Sequence, residues 1–214
     1  MAKQPTKKDL QTAQAKERIC QAVITCLDQV GYAETSINRI QVQAGISRGA
    51  LTHHFPSKEE LIVETMARLL QPILPSAAPR SGRIAALAGK DWSVEDRLLW
   101  LWDYVVDTPE GHAMVEILTA ARTDQKLQSR ISTKFKDWNH EINNFYVELY
   151  HSRDGAEEGR VLWSICRVFI RGLIVHKQFE DKERVTELIQ RFAEIMTPHL
   201  QPNLKARDKG ISDD

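Results

Sequence analysis

Proline is missing from Glu110 to Thr197, a run of 88 residues. Proline removes a helical hydrogen bond and kinks the chain, so its absence fits long uninterrupted helices. Cysteine is scarce: Cys20, Cys26 and Cys166 are the whole complement. Cys20 and Cys26 sit about 240° apart on one helix at about 100° per residue, so they cannot chelate one ion together. Three scattered thiols exclude a disulfide framework and fit a reducing cytoplasm, where each is expected as a small buried hydrophobe. Long apolar runs are lacking too. The opening MAKQPTKKDL has no signal-peptide core, and the block Leu98–Trp102 is far too short to span a bilayer. The expectation is a cytoplasmic chain with no membrane partner. Net charge is absent as well, with 29 Lys and Arg against 29 Asp and Glu, so the chain as a whole is not a polycation.

The charge is unevenly spread. Through residue 58 there are eight Lys and Arg against four Asp and Glu, a net +4 that leaves −4 for the rest. A basic N-terminal domain on an acidic body puts an anion-facing surface at one end. A length of 214 residues suits one or two domains with a proper core.

Residues 35–61, TSINRIQVQAGISRGALTHHFPSKEEL, carry the most information. Ser36 is placed to cap a helix whose apolar positions Ile37, Ile40 and Ala44 recur at helical spacing. Gly45 supplies the left-handed backbone that ends it. Ser47 caps a second helix from Arg48 to about His54, with Ala50 and Leu51 small enough to pack on the first. Ser57 with Glu60 forms a capping box that opens a third, running toward Leu70. Two helices across a tight glycine turn match the helix-turn-helix, whose second helix enters the DNA major groove.

The wording Ala44-Gly45-Ile46-Ser47-Arg48-Gly49-Ala50-Leu51-Thr52-His53-His54-Phe55, then Pro56-Ser57-Lys58-Glu59-Glu60-Leu61, resembles the DNA-binding domain of TetR-type transcriptional regulators over about 50 residues. The resemblance implies an all-α fold: an N-terminal three-helix helix-turn-helix domain over 1–60, a larger helical ligand-binding and dimerisation domain over 61–200, and a polar, disordered tail over 201–214. It implies no cofactor. Its partners would be a double-stranded, palindromic DNA operator, a second copy of the chain and a small-molecule effector. Repression relieved by that effector is the family's habit; an activator, or a regulator without a ligand, is the variant reading.

At the DNA end, Arg48 is the candidate base reader, because a guanidinium forks onto guanine O6 and N7; a phosphate contact is the other reading. Ala50 is small enough to touch a thymine methyl. Lys58, Ser36 and His53 suit phosphate contacts, with Ser47 at the start of the same helix. Three positions depart from the family pattern. Thr52 replaces a backbone-contacting aromatic, and Arg39 and Gln41 stand where an acid and a small residue are common, Arg39 adding a candidate DNA contact. Lys3, Lys7 and Lys8 form an arm that tracks phosphates or is simply solvated.

The remainder reads as helices. One runs from about Thr12 to Val30 and stops at Gly31. Residues 75–92 read as an irregular connection. Ser93 caps a helix over Val94–Val106, Pro109 starts another to about Ala121, and a long one carries the stripe Ile131, Phe135, Trp138, Ile142, Phe145 and Leu149. Helices over 156–178 and Lys182–Met196 follow. The 156–178 helix has two apolar stripes, which predicts burial on two sides. Val161, Ile165, Val168, Gly172 and Val175, with Leu188, Phe192 and Ile195 of the last helix, are the candidates for facing a second copy, since the family pairs its last two helices in a four-helix bundle.

Candidate effector-lining residues are Trp100, Tyr104, His112, Glu116, Arg122, Trp138, Phe145, Trp163, Cys166 and Arg167. Five Trp point to an apolar or aromatic ligand, although core packing is the commoner role of any one of them. His112 and Glu116, one turn apart, would orient a polar group or form a surface ion pair.

A rival class is an all-helical metal-dependent enzyme. Glu148-Leu149-Tyr150-His151 fits the Glu-x-x-His of di-iron bundles, and Asp137-Trp138-Asn139-His140 nearly copies it. Such sites need the motifs on facing helices, whereas both lie on one, and a solvated face explains them better.

Overall fold

The structure is a computed structural model that describes residues 6–71 and 92–203. These fall into two compact units. One holds the residues up to Leu69 together with Pro109–Ser132; the other holds Leu70–Thr108 and the chain from Thr133 onward. Packing therefore divides the chain elsewhere than the boundary at residue 60 that the motif suggests. The connection expected over 75–92 lies outside the described residues except for Trp92.

Helix α1 (Lys7–Glu34) begins earlier than its apolar pattern predicts. Thr6 accepts the Asp9 amide, and the Asp9 carboxylate accepts the Thr6 amide in return, a capping box that holds the polar first turns. Ile19, Cys20, Val23, Ile24 and Leu27 form its buried face. Gly31 breaks the helix at φ 71°, as its position predicts. α2 (Ile37–Ala44), α3 (Arg48–His54) and α4 (Lys58–Leu70) follow, with Leu61, Ile62 and Met66 buried on α4.

This first unit is completed by a helix distant in sequence, α6 (Pro109–Ala121), which packs along α1 through Ala113, Ile117 and Ala121. Two polar ties fix its register. Asp28 Oδ1 lies 2.6 Å from His112 Nδ1, and Glu116 Oε2 accepts the Tyr32 amide at 2.7 Å. The first turns of α7 (Gln125–Leu149) join through Lys126 and Arg130, which both pair with Glu59. These bonds hold the Glu59 carboxyl below the usual range.

The second unit is built on α5 (Val94–Leu101), the rest of α7, α8 (Ala156–His176) and α9 (Lys182–Met196). Ser93 and Asp96 cap α5 reciprocally. The single helix expected over Val94–Val106 widens instead into a π turn at Trp102–Val106. The buried seam of α7 also differs from the expected stripe. Trp138, Ile142, Tyr146 and then Tyr150 are buried, whereas Phe145 and Leu149 are only half-buried. An unbroken spacing of four drifts around the helix axis and brings the two tyrosines inward. Tyr150 anchors this core: its hydroxyl donates to Trp92 O at 2.9 Å and accepts from buried Arg97 Nε at 3.0 Å. Burial raises both phenols.

A short antiparallel ladder, β1 (Tyr150–Ser152) with β2 (Leu200–Pro202), closes the unit in an otherwise helical fold. The tail expected to be disordered from residue 201 is thus ordered at its start, and the Asn203 amide donates to Leu149 O at 2.7 Å. From residue 204 it lies outside the described residues.

Candidate nucleic-acid interface

Three serines and a glycine set the interface. Ser36 Oγ accepts the Arg39 amide at 3.2 Å and starts α2. Gly45 adopts φ 62°, ψ 40° and turns the chain, its amide donating to the last carbonyls of α2. Ser47 Oγ accepts the Ala50 amide at 3.2 Å and starts α3, and Ser57 accepts that of Glu60 at 3.1 Å to start α4. Ile40, Ala44, Leu51 and Phe55 turn inward. What remains outward on α3 is Arg48, Gly49, Ala50, Thr52 and His53.

The Arg48 side chain makes no hydrogen bond or ion pair among the described residues, so its donors are available to an outside acceptor. Arg39 is exposed on α2, with Nε donating to Glu34 O at 3.2 Å and the other guanidinium donors unspent among the described residues. Ser36 and Ser47 are committed as caps, which limits any phosphate role to their remaining hydrogen-bonding capacity. Thr52 Oγ1 donates back to Arg48 O at 3.0 Å, so its hydroxyl is turned into its own helix. His53 is exposed, edge-on to His54. Lys58 departs from the expected outward clamp. Its ammonium donates to Tyr32 O at 2.9 Å and lies 4.3 Å from the Tyr32 ring centre, and burial lowers its pKa. Lys7 and Lys8 are exposed at the start of α1; Lys3 lies outside the described residues.

Two residues escaped the sequence reading. Val42 is 78% exposed on α2, a bare apolar side chain beside polar neighbours. Gly49 lies inside α3, yet a Cβ there would meet nothing within 4 Å. Neither turn nor packing demands glycine at 49, and a helix interior disfavours it. Gly49 stands in the matched motif, but that its outer face is empty needs the fold to be seen.

The effector candidates separate into three groups. Trp138, Trp163, Cys166 and Arg167 come together between α7 and α8: Arg167 stands 6.0 Å from the Trp138 ring, and Trp163 stacks on Tyr146 at 4.3 Å. Burial pushes the Cys166 thiol up to about 12. Phe145 is half-buried on the same stretch of α7. Trp100 and Tyr104 form a separate stack, 5.6 Å between rings, with Trp92 against Trp100. His112 and Glu116 belong to the first unit, where they tie α6 to α1, and Arg122 is exposed there at the end of α6. The choice between ligand group and ion pair at His112 and Glu116 thus meets a third use, helix docking.

On α8 the two stripes behave differently. Leu162, Cys166 and Leu173 are buried, and Phe169 stacks on Phe192 of α9 at 3.9 Å. Val161, Ile165, Val168, Gly172 and Val175 face outward, with Val168 69% exposed. On α9 Ile195 is exposed while Leu188 and Phe192 are half-buried. An open groove of about 610 Å³ runs along this face, bordered by Val161, Ile165, Val168 and Phe192 and, at its polar edge, by Asn143 and Arg160.

Known proteins share both the motif and the fold. The family model of bacterial regulatory proteins, tetR family, matches residues 19–65. The HTH-type transcriptional regulator CymR of Pseudomonas putida is 30% identical over 177 residues, covering 78% of this chain and 81% of that protein. A TetR-family regulator structure from Rhodococcus sp. superposes with a TM-score of 0.59 at 19% identity, over 86% of this chain and 99% of that one. A transcriptional regulator from Saccharomonospora viridis in complex with choline gives 0.59 at 17% identity, over 85% and 96%. The matched positions hold Gly45, Ser47, Arg48 and Leu51 in the roles just described. This chain belongs to the tetR family of bacterial regulatory proteins and is a DNA-binding transcriptional regulator.

Proposed function

We propose that the chain acts as a homodimeric repressor that holds a palindromic operator and is released from it by a small molecule bound in the helices of the second unit. One observation carries the dimer. Val161, Ile165, Val168 and Val175 form a continuous outward apolar stripe on α8, next to exposed Ile195 on α9. A second copy related by a two-fold axis would cover it with the same stripe, an isologous contact. The same axis supplies two copies of α3, as two half-sites one helical turn apart require.

In this reading residues 1–60 are the DNA head. Arg48 reads a base edge, and Ala50 and Gly49 allow close approach. Arg39, His53, Lys7 and Lys8 contact phosphates, with Ser36 and Ser47 holding the helix ends. Lys58 positions the α4 end through Tyr32. The effector enters the aromatic cluster of Trp138, Trp163, Cys166 and Arg167. It weakens DNA binding because it favours the conformation whose heads cannot span both half-sites, so the loss equals its differential affinity. A regulator of this fold in complex with choline supports a ligand-taking chain, without naming the ligand or its place here.

The test is a gel shift of the chain's own promoter fragment against random DNA, with molar mass by light scattering at the same concentration. A dimer that shifts the promoter selectively is expected. A monomer that binds the promoter tightly would overturn the dimer reading.

A further inference from the structure

We infer that the second unit takes an organic monoanion, a carboxylate on a flat apolar body, at the guanidinium pair Arg167 and Arg171 beside the stacked rings of Phe135 and Trp138. The inference rests on the effector reading above and names the chemical class of the ligand.

α8 presents a polar row, Arg160, Ser164, Arg167 and Arg171, to α7. At one end the row is satisfied by amides: Arg160 Nε donates to Asn144 Oδ1 at 2.8 Å, and Asn143 Nδ2 donates to Ser164 Oγ at 3.1 Å. At the other end two cations stand one helical turn apart. Arg167 donates to Asn143 and, at 3.4 Å, to Ser164 Oγ, and the Arg171 side chain makes no hydrogen bond among the described residues. No Asp or Glu of the described residues pairs with either.

Arg167 keeps its Nε, and Arg171 its whole guanidinium, without an acceptor among the described residues. Arg167 lies 6.0 Å from the Trp138 ring centre and Arg171 5.7 Å from that of Phe135, and these two rings stack on each other at 5.7 Å. A guanidinium near an aromatic ring still offers its unspent N–H groups to an oxyanion, and a free fork matches two oxygens of a carboxylate. Three buried donors have no acceptor: Arg167 Nε and the indole N–H groups of Trp138 and Trp163. A cluster with surplus buried donors and two cations that no described carboxylate pairs calls for a ligand that is acceptor and anion.

Burial lowers both guanidinium pKa values, that of Arg167 to about 10, so the surroundings resist charge without a counter-ion. The same desolvation disfavours a dianion over a monoanion, because each added charge must also leave water. The aromatic walls favour a flat body. A cationic ligand such as the choline of the Saccharomonospora viridis regulator would be repelled.

The experiment uses the full chain, tryptophan fluorescence and thermal unfolding, with benzoate as the probe. Benzamide, choline and phenyl phosphate serve as the neutral, cationic and dianionic controls. Benzoate is expected to quench fluorescence and raise Tm, and the controls to do neither at matched millimolar concentration. Arg171→Met and Arg167→Met should each weaken benzoate by about tenfold or more, the loss of one charge-assisted partner. Arg167→Lys should recover only part, because a point charge lacks the fork. Promoter binding by each variant reports that it is folded. Equal binding of benzamide, preference for choline or phenyl phosphate, or unchanged benzoate affinity in the promoter-binding variants would overturn the inference. Benzoate that binds through the pair yet leaves the promoter complex intact would uphold the inference and refute the effector reading instead.

Discussion

Glu116 accepts the Tyr32 backbone N–H at 2.7 Å, joining residues 84 apart in the chain across the point where α1 breaks. The same carboxylate oxygen stands 3.1 Å from where a Cβ on Gly31 would sit, and Gly31 adopts φ 71°. Gly31→Ala should therefore cost at least the ~1–2 kcal/mol of a left-handed non-glycine residue. Glu116→Ala should cost ~1–3 kcal/mol by stranding the Tyr32 amide. Urea unfolding of each variant measures both. Loss below a few tenths of a kcal/mol in Glu116→Ala would show that water replaces the carboxylate.

Arg48→Ala should cost ~1–3 kcal/mol at one base position in each half-site and relax specificity there. Binding to random DNA should change less. Equal losses on promoter and random fragments would assign Arg48 to phosphate.

Gly49→Ala separates stability from recognition. The added methyl meets nothing within 4 Å, so removing a helix-interior glycine should stabilise the chain by ~0.4–1 kcal/mol. Promoter affinity should fall if the backbone of α3 approaches DNA closely at this point. A variant that is more stable and binds the promoter unchanged would remove Gly49 from the interface.

Val168→Glu places a charge on a side chain already 69% exposed in the single chain, so the fold should tolerate it. In a dimer the charge would be buried without a partner, at a cost of several kcal/mol, ~3–5 by the measure of broken buried pairs. The variant should sediment as a monomer of native helicity and lose promoter binding. Retained dimers would place the two-fold contact elsewhere.

All three thiols are buried, and burial raises each thiol pKa, that of Cys166 to about 12. A thiolate-selective reagent should thus label native protein slowly at pH 8 and unfolded protein fast. The unfolded chain ionises Cys166 near its ordinary 9.0 and the native chain only near 12. Native protein holds the proton across that window, so this contribution is present below pH 9 and is lost as pH rises toward 12. Rapid labelling of Cys166 in the native state would contradict its burial.

Local chemistry determined the DNA end. Ser36, Gly45, Ser47 and Ser57 act within three or four residues of themselves, by capping an amide or adopting a left-handed turn, so their spacing alone specifies α2, α3 and α4. The bare stripe on α8 was legible for the same reason: helical periodicity places Val161, Ile165 and Val168 on one line. Tertiary structure decided what periodicity cannot reach. Which ring of α7 turns inward depended on the drift of its seam around the helix, so Tyr146 and Tyr150 are buried where Phe145 and Leu149 are half-buried. Lys58 folded onto Tyr32, 26 residues away, and His112 and Glu116 closed onto α1. Arg167 and Arg171, paired with no carboxylate among the described residues, emerged only when α7 brought Phe135, Trp138 and Asn143 against them. A charge shows its need for a counter-ion only once water has been removed from around it, and it is packing between distant segments that removes it.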